Sequence, residues 1–245
     1  MTVQTVYDYL NERAPFATAE EWDNPGLLVG DPAQTVTGIV VALDATAGAL
    51  ETAKAMGANL LVTHHPVIFA PLKRLEKSSL PYRLAQKNVS LIAAHTNLDK
   101  TEGGVNDTLA ARLGLTHVKV AEDGYTRIGR LPQPMSAKAF AAHVAQVLDT
   151  TVRYNGESAV TTVAVCGGGG GDFIADCIGY ADAYVTGEVK HHEWLAAADR
   201  IQVVEAGHYA TEVPVVDTLC SWLQEAFPTV TVTPYRDGEP YAVTK

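Results

Sequence analysis

The sequence predicts an α/β protein of two lobes, each a mixed or parallel sheet covered by helices. Two observations carry the prediction. Short apolar runs alternate with segments of helical period along nearly the whole chain. The runs themselves, such as GIVVALD at 38–44 and SLIAA at 90–94, lack the polar alternation of a half-exposed sheet. Continuous apolar strands of this kind are buried on both faces.

The elements follow in order. Thr2 caps a first helix in which Val3, Val6, Tyr7 and Leu10 share one face. A strand at 38–44 leads to a helix at 47–56 that Gly57 closes. A strand at 59–63 precedes a helix capped by Ser79, with Pro81 in its first turn, that ends near Asn88. The strand at 89–94 is followed by a helix at 105–113, stopped by Gly114. The stretch GRLPQP at 129–134 reads as a break in the rhythm.

After the break, Ser136 caps an Ala-rich helix to Leu148. Strands at 160–166 and 183–186 flank a short helix at 172–178, and a further helix is expected at 188–198. The strand at 201–206 leads to a last helix, capped by Thr211, that runs to Phe227 with Val215, Val216, Leu219 and Leu223 on one face. TVTVTPY at 229–235 closes the chain as an alternating edge strand. The lobes expected are 1–126 with 205–245, and 127–204, so the carboxyl-terminal part returns to the first lobe.

At 245 residues the chain has ample material for a core. No apolar run reaches the roughly 18 residues of a membrane span. The first residues hold no basic stretch followed by an apolar one, so the expectation is a soluble, cytoplasmic protein with no membrane partner. Eighteen basic against 28 acidic residues give a formal charge of −10, which opposes binding to a nucleic-acid backbone. Cys166, Cys177 and Cys220 are odd in number and form no CxxC pair, so buried thiols are expected rather than disulfides or a thiolate metal site.

Three of the apolar runs end in histidine. The run at 59–63 enters His64-His65-Pro66; the run at 89–94 enters His95, with Asp99 four residues on; the run at 201–207 enters His208, with Glu212 four residues on. Sites in α/β proteins form at the carboxyl ends of strands. If the three strands share one sheet, four imidazoles and two carboxylates meet. That exceeds the three protein groups of a catalytic zinc and suits two ions.

Each part also has a plainer reading. His64 and His65 point to opposite faces if the segment is extended, which suits one imidazole per ion, or else one is a buried, hydrogen-bonded core histidine and the other exposed. Asp99 shares a face with His95 if the chain turns helically, and otherwise serves as a turn or cap residue. His95 either binds metal, orients a ligand or relays a proton. Glu212 falls near a helix start, where the dipole alone favours a carboxylate.

Weaker candidates surround these. The glycines at 167–171 either cradle a phosphate or allow a close backbone turn; they lack the Lys-Ser/Thr of a P-loop. Glu188 and His192 share a face if that segment is helical. His117 and His143 have no carboxylate nearby in sequence and are read as structural.

Taken together, EWDNPGL at 21–27, THHP at 63–66, HTNLD at 95–99, the glycine loop with Asp172, TGE at 186–188 and GHYATE at 207–212 resemble the Nif-three-like dinuclear-metal family, often labelled GTP cyclohydrolase 1 type 2 homologues. The resemblance spans nearly the whole chain. It implies a two-lobed α/β fold with the metal site in the cleft between lobes. It implies His64, His65, Asp99, His208 and Glu212 as metal ligands, with Glu212 bridging, and His95 beside the metals. It also implies a ring-like homohexamer.

The chemistry then expected is hydrolysis at two divalent ions, zinc, iron or manganese, which activate a water between them. The substrate would be a nucleotide or another small phosphorylated or heterocyclic molecule. The alternative is a metal-binding scaffold or metal-handling protein that works through protein partners.

Overall fold

A computed structural model describes residues 1–241. In chain order the elements are α1 (Val3–Arg13), β1 (Gly26–Val29), β2 (Ile39–Ala42), α2 (Ala47–Ala55), β3 (Leu60–Thr63), α3 (Leu80–Gln86), β4 (Ser90–Ala93), α4 (Thr96–Lys100), α5 (Val105–Arg112), β5 (Thr116–Val120), β6 (Arg127–Ser136) and α6 (Ala137–Val147). They continue with β7 (Arg153–Tyr154), β8 (Ala159–Cys166), β9 (Ala183–Thr186), α7 (His191–Ala197), β10 (Gln202–Glu205), α8 (His208–Glu212), α9 (Val215–Ala226) and β11 (Val232–Tyr235). The chain divides into two compact units, 1–101 with 215–245, and 102–214.

The first unit is built on a five-stranded sheet of order β1-β4-β3-β2-β11. Strands β4, β3, β2 and β11 are parallel, and β1 runs antiparallel along β4. Every residue of β2, β3 and β4 is buried, as their unbroken apolar runs require. On one face Val40, Leu61 and Leu91 meet Leu50 and Ala53 of α2 and Leu84 of α3. Each such side chain fully buried contributes about 1.5–3 kcal/mol. Helix α9 buries Val215, Val216, Leu219 and Leu223 and packs on β2 and β11. Thr2 caps α1 as expected, its hydroxyl accepting from the Thr5 amide.

The second unit has a six-stranded sheet of order β5-β6-β8-β9-β10-β7. Its centre, β8-β9-β10, is parallel, and β5, β6 and β7 pair antiparallel around it. One face carries α5 and α6, with Leu109 and Phe140 against Val163, Val165 and Val185. The other face buries Cys166 and Cys177 with Tyr184 and Ile174. Burial pushes the Cys177 thiol up to about 12, in keeping with an inert core thiol.

Several expectations are corrected. The apparent break at 129–134 lies inside β6, whose register with β8 shifts between Arg130 and Met135 around Pro132 and Pro134. Strands β1, β5 and β7 were not foreseen. Helix α5 and strand β5, expected in the first lobe, pack with the second sheet because β5 hydrogen-bonds to β6. The segment 172–178 forms two short 3-10 turns, Gly170–Phe173 and Ala175–Cys177, rather than one helix. Strand β10 lies in the second sheet, so the three histidine-ended strands do not share one sheet. No described helix is long and apolar enough to cross a membrane.

Candidate metal centre

In the first unit, strands β3 and β4 lie side by side and parallel, so the chain leaves both at the same end of the sheet. His64 follows β3 directly, and His95 follows β4 by two residues. One ring nitrogen each of His64, His65 and His95 lies within 4.8 Å of the others. Ring centroids are 4.9 Å apart for His64–His65, 5.1 Å for His64–His95 and 5.4 Å for His65–His95. The expected divergence of His64 and His65 does not occur. Strand β3 ends at Thr63 and the chain bends at the pair, so the alternation of an extended strand no longer applies.

A second device brings in the carboxylate. Helix α4 is a single turn that starts at the end of β4, and the Asp99 amide donates to the His95 carbonyl at 3.1 Å. The turn carries Asp99 to His64, Oδ1 lying 3.6 Å from Nε2. The same device recurs in the second unit. Helix α8 is one turn following β10, and it sets Glu212 Oε2 3.0 Å from His208 Nε2. Glu212 sits at the end of this turn, not at the start of the long helix, which begins at Val215. Thr211, expected to cap that helix, is buried inside α8.

The ring protonation follows from the partners. His64 Nδ1 faces the Ala94 carbonyl at 2.9 Å, His65 Nδ1 faces Asp44 at 2.8 Å, His95 Nδ1 faces Asp23 at 2.8 Å, and His208 Nδ1 faces Glu188 at 2.9 Å. Each partner can only accept, so every Nδ1 carries a hydrogen and donates it. The basic lone pair of each neutral ring then resides on Nε2. At His64 and His208 that nitrogen faces a carboxylate oxygen, two acceptors turned toward each other. Only a proton or a cation relieves such a contact. Imidazoles oriented by a carboxylate or carbonyl behind them are the usual setting of metal-bound histidine. Ligand atoms 3.0–3.6 Å apart match the roughly 3.4 Å separation around a tetrahedral ion with bonds near 2.1 Å. The donor set therefore fits a divalent metal such as zinc, iron or manganese.

Asp23 and Asp44 escaped the sequence reading, although Asp23 stands in EWDNPGL. Asp23 also accepts from the Thr96 amide at 3.0 Å and the Thr96 hydroxyl at 2.6 Å. Burial opposes its ionisation, but the hydrogen bonds from His95 and Thr96 outweigh that and hold the carboxyl well below the usual carboxylate range. Glu188 was paired with His192 on an expected helix. Helix α7 begins only at His191, and Glu188 turns to His208 instead.

The first two residues of the glycine loop take the plainer of its two readings. The Gly167 amide donates to Asn106 Oδ1 at 2.8 Å and the Gly168 amide to Thr211 Oγ1 at 3.0 Å, so neither points at a phosphate. Gly168 has φ +58°, and a Cβ there would collide with the Glu212 carboxylate. A Cβ at Gly187 would stand 2.7 Å from the His208 Cα. These glycines let backbone lie directly against the His208–Glu212 turn. His143 is structural as expected, its Nε2 donating to the Leu113 carbonyl at 3.0 Å.

Comparison with known proteins places the chain. The chain is 30% identical over 233 residues to a GTP cyclohydrolase 1 type 2 homolog of Clostridium perfringens, covering 88% of each protein. It is 34% identical over 222 residues to the protein of that name from Streptomyces coelicolor, covering 82% of this chain and 78% of that one. Its fold matches the crystal structure of Staphylococcus aureus protein SA1388 with a TM-score of 0.93 and 26% identity, over 100% of this chain and 99% of that one. The model of the family described as Duf34/NIF3 (NGG1p interacting factor 3) matches residues 1–238. The resemblance drawn from the motifs thus extends from the first helix to the last strand, and the chain belongs to the Duf34/NIF3 family.

Proposed function

We propose that this protein is a dinuclear metal-dependent hydrolase of a nucleotide-like or small phosphorylated or heterocyclic substrate. His64, His65, Asp99, His208 and Glu212 hold the two divalent ions in this reading. The observation that carries it is the shared orientation of four histidines, each donating from Nδ1 to a fixed acceptor and keeping its base at Nε2. Two divalent ions would supply Lewis acidity and a water acidic enough to ionise near neutral pH. The names of the curated relatives support a nucleotide as substrate.

His95 is the proton carrier in this scheme. Its Nδ1 donates to the Asp23 carboxylate, which holds the ring and leaves Nε2 as the atom that takes the proton. Asp23 stays ionised and does not take the proton itself. A cytoplasmic homohexamer belongs to the same proposal, on the strength of the family resemblance. The test is elemental analysis of the purified protein beside His64→Ala and Glu212→Ala, followed by turnover assays on nucleotides and phosphoesters. Two equivalents per chain, lowered in both variants, with turnover that follows metal content, is the expected result. Two retained equivalents with no turnover on any substrate class would leave metal binding and remove the hydrolase.

A further inference from the structure

Two large aromatic side chains of the first unit stand in solvent beside the histidine cluster. Trp22 is 60% exposed and Phe69 is 53% exposed. Their ring centroids are 5.9 Å apart, and each lies 6.3 Å from the centroid of His95. Both are among the exposed large apolar side chains of the described residues. Exposed apolar surface grouped in this way marks a binding site more often than chance exposure does.

The aromatic pair is also anchored from beneath. On one side of Trp22, Asp23 is tied to His95 and Thr96. One residue further, the Asn24 side chain donates to the Ile68 carbonyl at 2.6 Å, immediately before Phe69. The segment that orients His95 therefore also sets Trp22 and Phe69 against each other. Holding exposed rings in place before a ligand arrives lowers the ordering cost of binding.

Phe69 opens a run of ten exposed residues, 69–78, with neither helix nor strand. It carries Lys73, Arg74 and Lys77 against the single carboxylate Glu76, in a chain of formal charge −10. Local positive charge on an acidic protein attracts anions.

We infer that Trp22 and Phe69 form the stacking face for the planar ring of a nucleotide, and that the cations of 69–78 receive its phosphate. The inference rests on the nucleotide reading of the metal centre and adds the residues that recognise the substrate. The two rings are inclined at an interplanar angle of 53°, so a planar base stacks on the exposed face of one and meets the other at an angle, rather than lying between them. Base–aromatic stacking tolerates any base, so the face selects for a heteroaromatic ring and not for one nucleobase.

The test is calorimetric titration of the purified protein with guanosine 5′-monophosphate, guanosine and ribose 5-phosphate, with metal content measured on the same samples. Trp22→Leu and Phe69→Leu are each expected to weaken the monophosphate and the nucleoside at least about five-fold and to leave ribose 5-phosphate unchanged. Trp22→Tyr restores most of the binding. The triple variant Lys73→Ala, Arg74→Ala, Lys77→Ala weakens the monophosphate and ribose 5-phosphate but spares guanosine. Unaltered monophosphate binding in Trp22→Leu, or no binding of any probe to the wild-type protein, overturns the inference. Two metal equivalents in a protein that binds no probe would sink the stacking face alone. Trp22-dependent binding in a protein without metal would sink the metal reading alone.

Discussion

His208 donates from Nδ1 to the Glu188 carboxylate at 2.9 Å, a bond that spans 20 residues and joins the turn after β9 to the turn after β10. Glu188 is 64% exposed and contributes little to the fold, so its service is to the imidazole. Glu188→Gln keeps an acceptor but removes the charge behind the ring, which lowers the basicity of Nε2. We expect metal affinity to fall about ten-fold with unchanged thermal stability of the metal-stripped protein. Competition with a chromogenic chelator measures the first and a melting curve the second. Equal affinity in the two proteins would show that His208 is no ligand.

His64 differs from His208 in being fully buried. His64→Ala removes one imidazole and leaves Asp99 without the nitrogen it faces at 3.6 Å. Metal content is expected to drop by about one equivalent, and His64→Gln, which keeps a polar head, should not restore it. Melting temperature should rise on adding zinc to the wild-type protein, by mass action on the folded state, and rise less in the variant. An equal rise in both would remove His64 from the ligand set.

Gly168→Ala tests whether the glycine loop exists for the metal centre. The substitution forces φ +58° on an alanine and drives its Cβ into the Glu212 carboxylate. Gly57 has a comparable φ of +68° but open space around it, so Gly57→Ala carries the backbone strain alone. Both should lose about 1–3 kcal/mol in urea unfolding. Only Gly168→Ala should also lose metal. Full metal occupancy in Gly168→Ala would mean that the close approach serves packing and nothing else.

What could be read in the sequence divides by range. Strands β2, β3 and β4 are uninterrupted apolar runs, and the contacting pair His208 and Glu212 is spaced by one helical turn. Local pattern suffices for both. Asp99 lies one helical turn from His95 but meets His64 instead. Strand β6 was hidden because Pro132 and Pro134 imitate a turn, and an antiparallel strand with a register shift tolerates them. Thr211 imitated the cap of the long helix and concealed the short turn of α8. The carboxylates behind the imidazoles were invisible for another reason. Asp23 is 72 residues from His95 and Asp44 is 21 from His65, so only the assembled sheet brings them together.

Asp23 gives a prediction in pH. Its side chain has no exposed surface. Burial works against its charge, while the His95 and Thr96 hydrogen bonds prevail and lower its pKa in the folded state. A carboxyl with a depressed folded pKa stabilises the protein in full above its unfolded value, near 4, and loses that contribution as pH falls toward the folded value. The wild-type advantage over Asp23→Asn in urea unfolding should therefore be constant from pH 7 to about pH 5. Below about pH 4 it should shrink by up to about 1.4 kcal/mol per pH unit, for as long as the wild-type protein remains folded. Unfolding curves at pH 7, 5 and 3 decide it. An advantage that holds steady or grows at pH 3 would mean that Asp23 is not the ionised partner of His95, and the proton-carrying role assigned to that histidine would fall with it.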